Sequence, residues 1–159
     1  MIRAAVITVS DSAHAGTRED KSGPAVAARL IEMGYEIGAR LVVPDERSEI
    51  AAHLRQLADS RSAQVVVTTG GTGITPRDIT PEATRDVIER EIPGIGELMR
   101  ARGLQSTPYS VLSRGLAGTR NGILIINLPG STRGAVESLN AVLELVPHVL
   151  DLINGRTRH

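Results

Sequence analysis

Four short apolar runs punctuate the chain, at residues 3–9, 38–43, 64–69 and 122–128. Each is rich in Val, Ile or Leu and short enough to be a buried strand. Other apolar residues recur at helical spacing. In 24–34, Val26, Leu30 and Met33 share a face; in 46–59, Ile50, Leu54, Leu57 and Ala58 do. Val136, Leu139, Leu143, Val146, Leu150 and Ile153 mark a long C-terminal helix that Pro147 should kink or divide. Strands alternating with helices predict βαβ units, hence an α/β fold with a mostly parallel sheet covered on both faces by helices. No repeat, low-complexity tract or long linker interrupts the pattern. Residues 1–154 read as one domain, with 155–159 as a frayed tail.

On sheets of this kind, ligands bind beyond the carboxyl ends of the strands. The polar and glycine-rich residues gather at those ends. Ser10-Asp11 follows the first run, Pro44-Asp45-Glu46 the second, Gly70-Gly71-Thr72-Gly73 the third and Pro129-Gly130-Ser131 the last.

Composition narrows the chemistry. The 159 residues carry 18 Lys+Arg against 18 Asp+Glu. That balance argues against a nucleic-acid surface built on phosphate neutralisation. Tyr35 and Tyr109 are the only aromatic residues, too few for a base-stacking platform. The absence of Cys removes disulfides, thiolate metal sites and a cysteine nucleophile. His14, His53, His148 and His159 show no metal-ligand spacing. The apolar N-terminus is too short to span a bilayer and lacks a cleavage pattern, so no membrane role and a cytoplasmic location are expected.

The third exit is the most suggestive. Three glycines within Gly70–Gly73 let backbone approach a ligand and aim N–H groups at an anion, with Thr69 and Thr72 adding hydroxyls. A tight turn leaving a strand reads the same way. The loop is no P-loop, since no Gly-Lys-Ser/Thr follows, and the dinucleotide fingerprint fails at Pro76. Beyond it, Thr80, Pro81 and Glu82 suit a helix start. Arg77 and Asp78 are not needed for that start: they read either as a solvated loop pair or as functional groups, Asp78 holding Mg²⁺ on phosphate oxygens and Arg77 neutralising charge. Asp45 reads either as a helix cap or as a second carboxylate facing Asp78. The polar loop 14–21 reads as a connection capped by Ser22 or as a flap that closes over a ligand, with Asp11 and Asp20 in contact. At Pro129–Thr132, the amides opening the last helix form an anion site.

These loops resemble the molybdopterin adenylyltransferase family (the Mog/MoaB type of molybdenum-cofactor biosynthesis). The resemblance rests on Thr8-Val9-Ser10-Asp11, Asp20-Lys21-Ser22-Gly23, Val43-Pro44-Asp45-Glu46, Thr69-Gly70-Gly71-Thr72-Gly73, Pro76 through Thr84, Pro93-Gly94, Ser113-Arg114 and Asn127-Leu128-Pro129-Gly130. It implies a three-layer α/β/α fold, assembly as a homotrimer or hexamer, and transfer of AMP from ATP to the terminal phosphate of molybdopterin with Mg²⁺ present. It further implies Asp45 and Asp78 as the catalytic, Mg²⁺-positioning carboxylates, and Thr69–Gly73 with Arg77 as nucleotide and phosphate contacts. Ser10, Asp11, Glu97, Ser113, Arg114, Pro129, Gly130 and Ser131 are implied as molybdopterin contacts, and a metal-insertion enzyme as a downstream partner. The alternative within the family is a catalytically silent molybdopterin-binding scaffold of the MoaB type. A nucleotide-pyrophosphate hydrolase of similar fold, and a nicotinamide dehydrogenase, are the readings from other classes.

Overall fold

The computed structural model describes residues 1–157. Its elements run β1 (Arg3–Val9), α1 (Asp11–His14), α2 (Ser22–Glu32), β2 (Glu36–Val43), α3 (Arg47–Asp59), β3 (Val65–Thr69), α4 (Thr80–Arg85), β4 (Arg90–Glu91), α5 (Pro93–Gly103), β5 (Ala117–Arg120), β6 (Ile123–Leu128), α6 (Thr132–Val142) and α7 (Val146–Ile153), with single 3₁₀ turns at Pro108–Leu112 and Leu143–Leu145. The six strands form one sheet in the order β2-β1-β3-β6-β5-β4. The first four are mutually parallel, while β5 and β4 extend the sheet antiparallel.

Alternation along the fully buried strands divides the core into two layers. Val65, Val67, Leu124, Ile126 and Leu128 pack with α2, α5, α6 and α7; Val66, Ile123 and Ile125 pack with α3 and α4 on the other face. The expected α/β/α layering is therefore present. Ile50, Leu54, Leu57 and Ala58 are buried as the α3 pattern requires, as are Val26 and Leu30 of α2. Met33 departs from its pattern: it is the C-cap of α2 and 44% exposed, because the helix ends before the next turn could fold it inward. Pro147 does divide the C-terminal helix, sitting in the first turn of α7 where its missing N–H costs no hydrogen bond.

The antiparallel extension was not anticipated by the apolar runs. Asn121 and Gly122 take φ of 52° and 77°, making a two-residue hairpin turn whose twist matches the flanking strands. The Asn-Gly pair is the local signal for β5, which carries no apolar run of its own. At the C-terminus, the amides of Gly155 and Arg156 bond back to Leu152 and Asp151. Arg158 and His159, the end of the segment read as a frayed tail, lie outside the described residues.

Candidate active-site cleft

The four parallel strands deliver their exits to one edge of the sheet, around a cleft of about 610 Å³. Its floor is the β3 exit. Gly70 and Gly71 have φ of 103° and 70°, values that L side chains rarely adopt. A Cβ at Gly70 would strike the Val9 carbonyl, and one at Gly71 would strike Thr80 Oγ1. Thr80 ties this turn to α4, its amide donating to the Gly71 carbonyl (3.0 Å) and its hydroxyl to that of Gly70 (2.9 Å). Behind Thr80, the buried Thr84 hydroxyl donates to the Thr80 carbonyl (2.8 Å), and Asn127 Nδ2 donates to Thr84 Oγ1 (3.0 Å) and Thr68 Oγ1 (3.1 Å). Asn127 Oδ1 accepts from the Leu116 amide (3.3 Å). Both polar atoms of the Asn127 side-chain amide are thus engaged, so the network braces the glycine turn with the desolvation of that amide offset by its hydrogen bonds.

On the α3/α4 side the wall is acidic. Asp11 and Asp45 clasp reciprocally: the Asp11 amide donates to Asp45 Oδ2 and the Asp45 amide to Asp11 Oδ1, both at 2.9 Å. Asp45 therefore does not cap α3; Glu46 is the N-cap residue and makes no side-chain cap bond. Burial pushes the Asp45 carboxyl above the usual carboxylate range, and the charges of Asp11 and Asp78 push the same way against the Asp11 amide bond. The Asp45 amide holds Asp11 below that range, with help from Arg77. Asp78 Oδ2 accepts from the amide (3.0 Å) and hydroxyl (2.8 Å) of Thr75, which closes the turn carrying it.

On the α2/α6 side the wall is made of helix starts. Asp20 accepts from Thr8 Oγ1 (2.9 Å) and the Gly23 amide (3.0 Å), pinning the polar loop to the end of β1. A Cβ on Gly23 would strike Thr8 Oγ1, so the latch requires glycine there. Ser131 caps α6 through the Gly134 amide (3.1 Å), and Thr69 Oγ1 donates to the Pro129 carbonyl (2.7 Å).

Of the residues singled out in the sequence, Ser10, Asp45, Thr69, Gly70, Gly71, Asp78, Gly130 and Ser131 line this cleft. Others sit elsewhere. Arg77 spends its guanidinium on Asp11 (3.0 Å) and Glu46 (3.0 Å), bracing the acidic wall from outside. Thr72 is buried, and its carbonyl accepts from the Arg114 amide. Arg114 binds the Gly73 carbonyl (2.8 Å), the Asp78 carbonyl (2.7 Å) and Glu82 (2.6 Å), so it fixes the turn between Gly73 and Asp78. Glu97, Ser113 and Arg114 line a separate groove beside α5. Pro129, Ser113 and Ser131 line a smaller cavity of about 200 Å³ that meets the cleft at Ser131. The cleft also takes in Thr8, Arg18, Lys21, Ser22 and Thr132, which the candidate set lacks. Each lies in a run the sequence marked, Thr8 in Thr8–Asp11, Arg18 and Lys21 in the polar loop 14–21, Ser22 in Asp20–Gly23 and Thr132 in Pro129–Thr132, but a polar loop's composition does not say which side chains face the ligand.

Among the described residues, no group of three or more His, Asp or Glu forms a metal cage. Asp45 and Asp78 each keep one carboxylate oxygen without a hydrogen-bond donor among those residues. A hard cation that takes its remaining ligands from phosphate oxygens suits that pair.

The chain matches the family described as "Probable molybdopterin binding domain" over residues 5–148. It is 45% identical to the molybdopterin adenylyltransferase of Helicobacter pylori over 97% of this chain and 89% of that protein. With the enzyme of the same name from Escherichia coli it shares 37% identity over 97% and 86%. Among solved structures, the molybdopterin biosynthesis enzyme MoaB of Thermus thermophilus superposes with a TM-score of 0.91 at 48% identity, covering 98% of both chains. The Mog protein of Mycobacterium ulcerans does so at 0.89 and 36%, over 96% of this chain and 99% of that one. A family match spanning both core layers and all four strand exits settles the lineage: this chain belongs to the molybdopterin-binding domain family.

Proposed function

We propose that the protein is a molybdopterin adenylyltransferase of molybdenum-cofactor biosynthesis, with ATP and molybdopterin as substrates and Mg²⁺ as the metal. The observation that carries this reading is the pair Asp45 and Asp78 on one wall of a cleft floored by Gly70 and Gly71. An oxygen of the terminal phosphate of molybdopterin attacks the α-phosphorus of ATP. The new P–O bond forms as the bond to the β-phosphate bridge breaks, giving adenylylated molybdopterin and pyrophosphate.

Both reactants are polyanions, so the protein's task is alignment and charge neutralisation more than proton transfer. The bare backbone of Gly70 and Gly71 lets phosphate oxygens come close to the sheet edge. Asp45 and Asp78 are the residues that would hold Mg²⁺, which when bound neutralises charge on phosphate oxygens. Asp11 and Arg77 keep Asp45 in place, while Arg114 and Thr75 keep Asp78 in place. Gly130 and Ser131, from the β6 exit, are the contacts assigned to molybdopterin, with Ser10 across the cleft. Glu97, Ser113 and Pro129 belong to neighbouring cavities and serve molybdopterin only if it extends past Ser131.

Among the described residues no helix is long and apolar enough to cross a membrane. We take the protein to work in the cytoplasm as a homotrimer or hexamer that hands its product to a metal-insertion enzyme. Exposed Leu104, Tyr109, Val111 and Leu112, clustered along 104–112, supply apolar surface for subunit contacts. The scaffold alternative lacks support, since both acidic positions are present and share the cleft. Purified protein given Mg²⁺, molybdopterin and ATP labelled at the α-phosphate should move label into a pterin-containing product. Label left entirely on ATP would refute the assignment.

A further inference from the structure

On the cleft wall opposite Asp45 and Asp78, the part built by the start of α2 has no assigned role, yet it carries groups suited to an anion. Ser22 opens α2, is 7% exposed and lines the cleft, and its hydroxyl has no hydrogen-bond partner among the described residues. Of the first three helical amides, that of Gly23 is taken by Asp20 and Pro24 has none, which leaves the Ser22 amide without a partner among those residues. Lys21, the only lysine in the chain, occupies the N-cap position and lines the cleft beside Ser22. It makes no ion pair among the described residues, whereas Arg77 and Arg114 of the other wall are both paired. No acidic side chain lies in the first turn of α2; the carboxylates before it that share the cleft lining are Glu19, which is exposed, and Asp20. Asp20 spends its charge inward on Thr8 and the Gly23 amide, and so holds Lys21 and Ser22 at the rim.

We infer that Lys21 and Ser22, at the start of α2, form a phosphate subsite that takes a phosphate group of a cleft ligand without metal. This deepens the proposed function and rests on it for the identity of the ligand: the nucleotide's phosphates, or the phosphate of molybdopterin. The division has a physical cause. A phosphate can approach Asp45 and Asp78 only with a cation between them, whereas Lys21, the Ser22 hydroxyl and a free amide accept a bare anion directly.

The test is calorimetric binding of inorganic pyrophosphate to the full chain in buffer with chelator, so that metal is absent. Wild type should bind saturably. Lys21→Ala should weaken binding by about ten-fold or more, Ser22→Ala by less, and Lys21→Arg should restore most of it. Arg40→Ala, which removes the same charge from exposed β2, should change affinity less than two-fold. Asp45→Asn should leave binding equal or tighter. Competition by ATP in the same buffer assigns the subsite to the nucleotide; competition by molybdopterin and not ATP assigns it to the pterin phosphate. No binding to wild type, or equal binding to wild type and Lys21→Ala, overturns the subsite. If adenylyl transfer is absent while Lys21-dependent binding persists, the proposed function fails and the subsite stands.

Discussion

The two walls of the cleft handle negative charge in opposite ways. Over α3 and α4, Asp45 and Asp78 face the cavity and are locked from behind, Asp45 by the Asp11 amide and Asp78 by Thr75, while Arg77 holds Asp11. Over α2 and α6, the cavity meets helix starts, hydroxyls and the cations Arg18 and Lys21; of the carboxylates there, Asp20 is engaged by the Thr8 hydroxyl and the Gly23 amide, and Glu19 is exposed. On the proposed function, a neutral protein takes polyanions without a basic surface, one wall offering a metal's partners and the other an anion's. The asymmetry follows from the topology. The β2 and β3 exits feed helices on one face of the sheet, while the β1 and β6 exits feed helices on the other.

The comparison breaks most sharply at the acids. Asp45→Asn and Asp78→Asn should each lower adenylyl transfer by at least about a hundred-fold, measured as product formation, with the fold intact by circular dichroism. Next in size is the floor. Gly71→Ala should cost about 1–3 kcal/mol of stability, from the forbidden φ and the collision with Thr80, and should disrupt both walls' hold on a ligand. Denaturant melts and pyrophosphate binding read the two effects separately. Asn127→Ala should cost about 1–3 kcal/mol by orphaning the buried Thr68 hydroxyl and Leu116 amide. Its activity loss should exceed that of a buried apolar truncation of equal destabilisation, because the lost bonds reach the glycine turn.

The pH dependence of stability separates Asp45 from Asp11. The folded state raises the Asp45 pKa, chiefly by burial. Its contribution to stability is therefore fully present below the carboxyl's unfolded pKa and lost as pH rises through the higher folded value. Asp45→Asn should melt at or above the wild-type temperature at pH 7, with the difference closing as pH falls into the carboxylate range. Asp11 is lowered, first by the Asp45 amide. It stabilises above its unfolded pKa, and that contribution fades as pH falls through the lower folded value. Melting curves of Asp11→Asn should show a deficit at pH 7 that shrinks on acidification. A carboxylate that costs stability at pH 7 beside a neighbour that adds it is what the proposed role of Asp45 predicts.

Much of this was legible in the residues. The parallel half of the sheet announced itself through runs such as Val65–Thr69 and Ile123–Leu128, because strands buried on both faces are mostly apolar, with Thr68, Thr69 and Asn127 as the buried polar exceptions at the exits. The carboxylates stood out since helix capping could not absorb Asp78, and the glycine loop since few other needs put three glycines after a strand. What escaped depends on tertiary direction. Asp45 read equally as a cap until the Asp11 clasp fixed it. Arg77 looked like a phosphate ligand, but its guanidinium is drawn to Asp11 and Glu46, a pairing across loops that no local pattern encodes. Lys21 and Ser22 fell in a run the sequence marked, but their direction was not legible, because a polar loop's composition is the same whether it faces solvent or a cleft.

The most direct test of the account pairs chemistry with binding in one variant. Wild type and Asp45→Asn are each given molybdopterin alone, then molybdopterin with ATP and Mg²⁺, and both bound pterin and adenylylated product are quantified. The account predicts that the two proteins bind molybdopterin alike while only wild type yields adenylylated product with an equivalent of pyrophosphate. Product formation by Asp45→Asn at the wild-type rate would contradict it.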